Sequence, residues 1–340
     1  MHYSLAILLL LASGLTLLRS AEPSATAADA VLPGDVLLGS GTHRYRWVHD
    51  WIKLPPSMSL ASTHGGVAVD KTDRIYISTE NDNAVIVLNP DGTVVTSWGK
   101  PFKGGTHDLC IVEDNGREVI WLTHTARGEA IKCTLAGEVL LTIGWPEASG
   151  VYKNAKEYKP TSTAIAPNGD VYVADGYGKN YVHRFTAAGS YVSSWNGSAR
   201  PGGQFKTPHG IGIDRRGPEP RVVVVDRVNS RLQYFTLEGA YVSEVPGFRL
   251  PCKAVFRGDD LVVPDLKGRV TILGRENQVI CQLGDNPDEK KRANFGVPPE
   301  QFKDGEFTAP HGAAWDSQGN LYVEDWNRSG RVSKLERIKY

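Results

Sequence analysis

The chain has 340 residues, and its 38 Lys and Arg residues balance 38 Asp and Glu residues, so that the formal net charge is zero. This length fits one large domain better than two independent ones. No basic stripe is visible in the sequence, which argues against a nucleic-acid partner. The 36 glycines and 20 prolines indicate many tight turns.

The N-terminus carries a targeting pattern. Residues 4–18 form an apolar run that is followed by Arg19 and then by small residues. This pattern predicts a secretory signal peptide over residues 1–21, and hence a secreted or periplasmic protein without a stable membrane span after cleavage. An uncleaved anchor is the alternative, although the run is short for crossing a bilayer. Residues 22–43, rich in Ala, Ser, Pro and Gly, are expected to form a flexible lead-in.

One short pattern recurs through the rest of the chain. A polar residue, often His, opens a strand-length run of small and β-branched residues, and a second apolar run such as Arg221–Val225 follows it. These openings fall 43 to 59 residues apart, at positions 64, 107, 161, 209, 252 and 311. A four-strand repeat of about 40–50 residues is the signature of a propeller blade. The sequence therefore predicts an all-β, six-bladed β-propeller over residues 44–340.

The two ends of this predicted ring complement each other. Residues 44–54 (RYRWVHDWIKL) form one strand pattern before the first blade, whereas the last blade has only three strand patterns before the chain ends. We predict that the N-terminal strand completes the last blade, because this closure removes a free sheet edge. Trp47 and Trp51 should then lie beside residues 331–335.

Two connections are unusually long, namely residues 145–160 and residues 284–310. Both lead into a first strand, so they should lie on the rim that carries the histidines and wall a site there. For residues 285–292 a solvated charged loop remains the alternative.

The four cysteines are Cys110, Cys133, Cys252 and Cys281. Although a secreted protein permits disulfides, their predicted positions within the blades are too far apart for one. We therefore expect free, buried thiols. Cys252 is a candidate pocket residue, because it occupies the position that His holds in other blades.

Histidine opens the first strand in four blades, at His64, His107, His209 and His311. Blades two, four and six alternate around the ring, so the last three of these histidines should converge on the central axis. Three such ligands with an open fourth position are typical of a catalytic zinc site. His64 breaks the alternation and is expected only to line the pocket. Turn capping next to Gly is the alternative role for each histidine.

Three segments carry a resemblance to a known family. FKTPHGI (205–211), DRVNSR (226–231) and VADGYGKN (173–180) resemble the six-bladed catalytic core of the peptidyl-α-hydroxyglycine α-amidating lyases, which belong to the wider NHL-repeat propellers. The similarity extends over roughly residues 60–336.

This resemblance implies a zinc ion bound by His107, His209 and His311, a catalytic tyrosine at Tyr177 and an active-site arginine at Arg227. The implied reaction cleaves the N–C bond of an α-hydroxyglycine-like small molecule or peptide, giving an amide and glyoxylate. Our strand assignment independently places these five residues on one rim. A rim packing role for the tyrosine and an inter-blade ion pair for the arginine are the alternatives.

The sequence also departs from the family. Glu80 stands where a second arginine is expected, Ala309 replaces a methionine, and Gly178 replaces a cysteine. Gly312 replaces the aspartate that helps to hold a structural Ca²⁺ in the family. Asp108 is then the remaining carboxylate candidate, which leaves a calcium ion in doubt.

Two functions therefore stay open at this point. One is a secreted zinc lyase with an altered substrate, and the other is a non-catalytic propeller that binds a protein or glycan on its rim. A gluconolactonase-like hydrolase is a weaker third, because it would need acidic ligands at the axis where this sequence places histidines.

Overall fold

The computed structural model describes residue 1 and residues 31–339, which form six antiparallel sheets. The prediction of a six-bladed β-propeller is confirmed. Nearly all of the predicted signal peptide lies outside the described residues. Within the described part of the chain, no helix has the length and apolar character needed to cross a membrane.

The first three blades are four-stranded meanders. Blade 1 contains β3 (Val67–Val69), β4 (Ile75–Ser78), β5 (Val85–Leu88) and β6 (Val94–Trp98). Blade 2 contains β7 (Thr106–Asp114), β8 (Arg117–His124), β9 (Glu129–Thr134) and β10 (Val139–Ile143). Blade 3 contains β11 (Ser162–Ile165), β12 (Val171–Ala174), β13 (Val182–Phe185) and β14 (Tyr191–Trp195).

The next two blades repeat this order. Blade 4 contains β15 (Pro208–Asp214), β16 (Arg221–Asp226), β17 (Arg231–Phe235) and β18 (Tyr241–Pro246). Blade 5 contains β19 (Val255–Arg257), β20 (Asp260–Asp265), β21 (Arg269–Leu273) and β22 (Val279–Leu283). Short 3-10 turns lie in the connections, at Lys100–Phe102, Glu147–Ser149, Ala155–Glu157 and Pro299–Gln301.

Blade 6 closes the ring with strands from both ends of the chain. Its C-terminal strands are β23 (Pro310–Trp315), β24 (Leu321–Asp325) and β25 (Arg331–Arg337). Its N-terminal strands are β2 (His43–Val48), which pairs antiparallel with β25, and β1 (Leu37–Ser40), which pairs with β2. The predicted closure is therefore confirmed, and Trp47 lies opposite Leu335 as expected.

Two details of the N-terminal prediction need correction. The expected flexible lead-in over residues 22–43 contains the strand β1, because Leu37–Ser40 finds a free edge on β2. Trp51 lies beyond the end of β2 and does not pair with β25. Its ring instead packs against Tyr322, at 5.0 Å between centroids, and contributes to the core between blades 6 and 1.

The core lies between neighbouring blades. Second strands such as β4 and β12 are buried along their whole length, because each face packs on an adjacent sheet. They therefore read as continuous apolar runs, whereas an outer strand such as β10 is largely exposed. All four cysteines are free, as predicted, although Cys110 is only partly buried.

Ring closure should account for a large part of the stability. Trp47 is 6% exposed, packs on Phe307 at 5.0 Å and lies under the guanidinium of Arg331. We expect Trp47→Ala to lower the free energy of unfolding by about 3–5 kcal/mol. Val139→Ala, at a half-exposed outer-strand position, is the control and should change it by less than about 0.5 kcal/mol. Chemical denaturation measures both, and equal small effects would contradict a closing role for β2.

Candidate metal centre and active site

Three histidines share one local backbone irregularity. His107 in β7, His209 in β15 and His311 in β23 are each the second residue of an inner strand, and the strand register shifts at each of them. A β-bulge re-aims the side chain that it carries. His64, by contrast, precedes β3 and lies outside any strand. The sequence pattern is the same at all four positions, but the structure separates His64 from the other three.

The bulges bring the three rings together. The ring centroids of His107, His209 and His311 lie 4.5–5.1 Å apart, and all three residues are buried. The ring of His64 joins this group at 4.7 Å from His107 and 5.3 Å from His311, but it is less buried. The structure brings all four rings together. His64, expected only to line the pocket, lies as near to His107 as His209 does.

Hydrogen bonds on Nδ1 turn the opposite nitrogen, Nε2, of two histidines towards the site. Nδ1 of His107 donates to the carbonyl oxygen of Thr161 at 2.7 Å, and Nδ1 of His209 donates to that of Cys252 at 2.9 Å. A carbonyl only accepts, so Nε2 of each ring carries the lone pair. Burial also lowers the pKa of His107, His209 and His311 well below the ordinary value, which keeps them neutral. Neutral imidazoles oriented by backbone carbonyls are suited to hold a metal ion.

Potential ligand atoms form two overlapping sets. His64, His107 and His311 offer atoms within 4.8 Å of one another, and so do His209, Cys252 and His311. Neither set contains all three predicted zinc ligands, and His311 belongs to both. The donor set as a whole is imidazole nitrogen with one sulfur, which suits zinc or a similar transition metal rather than calcium. Cys252 is buried, as predicted for the four thiols, and burial raises the pKa of its thiol to about 12.

Tyr177 and Arg227 meet at the histidines. The hydroxyl of Tyr177 lies 2.9 Å from Nε2 of His209 and 3.3 Å from Nε2 of His107. Nη1 of Arg227 donates to the same hydroxyl at 3.3 Å, and its guanidinium lies over the phenol ring. The side chain of Tyr177 is 38% exposed as a whole, but its hydroxyl end contacts two buried rings. Desolvation there raises the pKa of Tyr177, and the charge of Arg227 opposes this rise.

Glu80 places a negative charge on the rim of the site. Its carboxylate lies 3.1 Å from Nδ1 of His64, and this hydrogen bond lowers the pKa of Glu80, so that it is ionised at neutral pH. The expected second arginine is therefore replaced by a group of opposite charge. Ala309 is buried beside Cys252 and Leu266 and contributes to an apolar wall.

The two long connections both support the site. Phe295 in the 284–310 connection packs on Trp326 at 4.7 Å, and the indole lies 6.2 Å from His64. The 145–160 connection reaches the turn that carries Tyr177, whose backbone N–H donates to the carbonyl of Lys159. The predicted location of both segments on the histidine rim agrees with these contacts.

One recurring supporting residue escaped the sequence analysis. A buried aspartate follows or ends the second strand in blades 3 to 6 and accepts a backbone N–H from the segment before the inner strand. These aspartates are Asp175, Asp226, Asp265 and Asp325. The recurrence of Asp at this place in successive repeats was the available signal. In blade 3 the hydroxyl of Tyr152 also donates to Asp175, which fixes the turn below Tyr177.

One large cavity lies away from the histidines. It has a volume of about 870 Å³ and is lined by the far halves of the inner strands, away from His107 and His209. His107, His209, His311 and Cys252 instead line a small pocket at the other end of the axis. Asp108, the calcium candidate, lines this pocket and pairs with Lys253 at 2.7 Å.

The fold and site together define a six-bladed propeller with a histidine-rich centre on its axis. No model of a protein family matches the chain. Peptidyl-alpha-hydroxyglycine alpha-amidating lyase 1 of Drosophila melanogaster is 27% identical over 275 residues, which are 72% of this chain and 47% of that protein. The chain thus spans about half the length of this relative. The resemblance seen in the sequence is confirmed as a similarity: the chain is a six-bladed propeller that is similar to proteins named amidating lyases.

Solved structures show the same fold at lower identity. A gluconolactonase from Xanthomonas campestris aligns with a TM-score of 0.59 and 14% identity, over 94% of this chain and 99% of that one. A streptogramin B lyase aligns with a TM-score of 0.57 and 14% identity, over 84% of this chain and 96% of that one. These similarities establish the propeller architecture alone.

The histidine geometry predicts which residues hold metal. We expect His107→Ala, His209→Ala and His311→Ala each to abolish binding of one zinc ion per chain, because each removes a buried neutral ligand on a bulge. His64→Ala should retain the ion, since His64 is less buried and lies outside the strand bulges that aim the other three rings at the axis. Metal content after dialysis, measured alongside circular dichroism, tests this. Equal zinc content in all four variants, or loss only in His64→Ala, would overturn the assignment.

Proposed function

We propose that the protein is a secreted, zinc-dependent lyase that cleaves the N–C bond of α-hydroxyglycine-like substrates to an amide and glyoxylate. The observation that carries this proposal is the placement of the Tyr177 hydroxyl, which is held between two histidine Nε2 atoms and Arg227. A tyrosine that only packed on the rim would have no need of three such partners. The similarity to a named amidating lyase supports the same reaction class.

His107, His209 and His311 would hold the zinc ion. When bound, zinc supplies a Lewis acid that lowers the pKa of a substrate hydroxyl and of a neighbouring phenol. The buried imidazoles contribute by staying neutral, and the carbonyl oxygens on Nδ1 of His107 and His209 hold those rings in one orientation.

Tyr177 is the general base in this proposal. Its oxygen takes the proton of the substrate hydroxyl. The hydroxyl oxygen then forms a second bond to its carbon, and the electron pair of the C–N bond leaves with nitrogen. The nitrogen takes up a proton, so that the products are an amide and glyoxylate. Arg227 favours the required phenolate, since its charge lowers the pKa of Tyr177 against the effect of burial. Alternatively, Arg227 binds the substrate carboxylate.

Glu80 sets this site apart from one built for a simple carboxylate substrate. An ionised carboxylate at the rim repels the negative end of a peptidyl-α-hydroxyglycine, where an arginine would attract it. We therefore propose that the natural substrate shares the carbinol-amide group but differs at its charged end. Turnover of an unmodified α-hydroxyglycine peptide should be measurable but weak.

Removing the proposed base gives the sharpest test. Tyr177→Phe should reduce glyoxylate release at least about 10²-fold, because general-base catalysis is lost, while zinc content and fold stay unchanged. Tyr241→Phe is the matched control, since Tyr241 is also 38% exposed but lies on an outer strand. Should zinc-loaded wild type show no turnover on any α-hydroxyglycine compound, the lyase assignment is wrong and a ligand-binding propeller is favoured instead.

Neutralising Glu80 tests the charge argument. Glu80→Gln should raise kcat/KM for an α-hydroxyglycine peptide on the order of fivefold, because one unit of repulsion near the carboxylate is removed. Asp82→Asn is the control, as Asp82 is ionised and nearby in sequence but pairs with Lys103. A fall in kcat/KM for Glu80→Gln would mean that Glu80 assists catalysis, for example by holding His64.

A further inference from the structure

A buried lysine lies on the axis next to the histidine pocket. Lys253 follows Cys252 in blade 5, and its side chain is 11% exposed. The ammonium donates to the carbonyl oxygens of Leu109 at 2.8 Å and Val67 at 3.4 Å, and it lies 2.7 Å from Oδ1 of Asp108. Blades 1 and 2 therefore supply oxygen atoms to a cation that blade 5 provides.

These oxygens form the kind of set that a hard divalent cation uses. One carboxylate and two backbone carbonyls are typical calcium ligands. An ammonium group has three N–H donors, so it satisfies the same three oxygens with hydrogen bonds. The other carboxylate oxygen of Asp108 accepts a 2.6 Å hydrogen bond from the hydroxyl of Ser162 in blade 3, which ties a further blade to this cluster.

The charges at this level of the axis leave no place for a divalent ion. The residue after the polar opening position in the six blades is, in order, Gly65, Asp108, Ser162, Gly210, Lys253 and Gly312. Asp108 and Lys253 are the two charged residues among these six, and they neutralise each other. The buried carboxyl of Glu324 in blade 6 accepts the backbone N–H of Gly65 at 2.6 Å and also interacts with both of them. Burial raises the pKa of Glu324 to about 8, so that it adds little negative charge at neutral pH. A calcium ion on Asp108 would face the ammonium of Lys253 at close range in a desolvated place, where repulsion is strong.

Gly312 cannot restore a carboxylate ligand from blade 6. A Cβ atom at Gly312 would overlap the carbonyl oxygen of Gly65, because β23 lies too close to the segment that leads into β3 for a side chain to fit. The calcium ion that the family resemblance implies therefore does not fit the residues of this chain.

We propose that Lys253 is a built-in cation, which takes the place of a divalent metal ion on the axis and ties blade 5 to blades 1 and 2. The ammonium also fixes Asp108, and through it the start of β7 that carries His107. Lys253 lines both the histidine pocket and the large cavity, so it divides the two ends of the central channel. This inference does not depend on the proposed lyase activity.

Calcium binding by designed variants tests the substitution directly. Lys253→Ala removes the ammonium and leaves room, so we expect it to bind one more calcium ion per chain than the wild type in equilibrium dialysis with CaCl₂. Lys253→Met removes the charge but fills the volume and should gain no ion. The double variant Asp108→Asn with Lys253→Ala lacks the carboxylate and should also gain none.

Thermal unfolding gives a second, independent readout. Both single variants at Lys253 should have a Tm lower by roughly 5–10 °C, because a buried carboxylate loses its partner. CaCl₂, but not MgCl₂, should restore Tm for Lys253→Ala alone, and it should leave the wild type unchanged. Lys132→Ala, which breaks the 2.6 Å ion pair with Asp114 nearer the outside of blade 2, is the control and should lower Tm by less.

Three results would each overturn the proposal. The first is calcium binding or a rise of Tm in the wild type that equals the response of Lys253→Ala. The second is an equal calcium response of Lys253→Met, which would place the ion elsewhere. The third is a Lys253→Ala variant that binds no calcium, or that stays unfolded both with and without it. Folding of Lys253→Ala only in the presence of calcium would support the proposal.

Discussion

The structure depends on close approach of the inner strands at one axis. Gly210 and Gly312 follow two of the site histidines, and a Cβ atom at either would overlap a backbone carbonyl of the neighbouring blade. Their lack of a side chain lets the strands approach until the histidine rings lie within 5.1 Å of one another. The site is thus a consequence of how tightly the ring closes.

Closure of the ring in blade 6 keeps the inner strands close together at the axis. The N-terminal strand β2 completes blade 6, so the first and last parts of the chain hold the ring shut. Blade-to-blade packing of apolar second strands supplies the remaining driving force. At the axis, backbone carbonyls of neighbouring blades hold the side chains of His107, His209 and Lys253.

The axis offers two kinds of cation-binding atoms at two levels. The histidine level offers neutral nitrogen and sulfur atoms, which suit a transition metal. The next level offers oxygen atoms and already contains the ammonium of Lys253. Under the proposed function, this division assigns the catalytic metal ion to the histidine level and makes the stability of the ring independent of a second ion.

The sequence by itself determined the six repeats, the strand that closes the ring and the histidine positions, because repeat spacing and strand patterns are local properties of the chain. It could not determine that His107, His209 and His311 lie on β-bulges while His64 does not, since all four have the same sequence setting. Nor could it pair Lys253 with Asp108. These residues are 145 positions apart in the chain, and only closure of the propeller brings blade 5 against blades 1 and 2 at the axis.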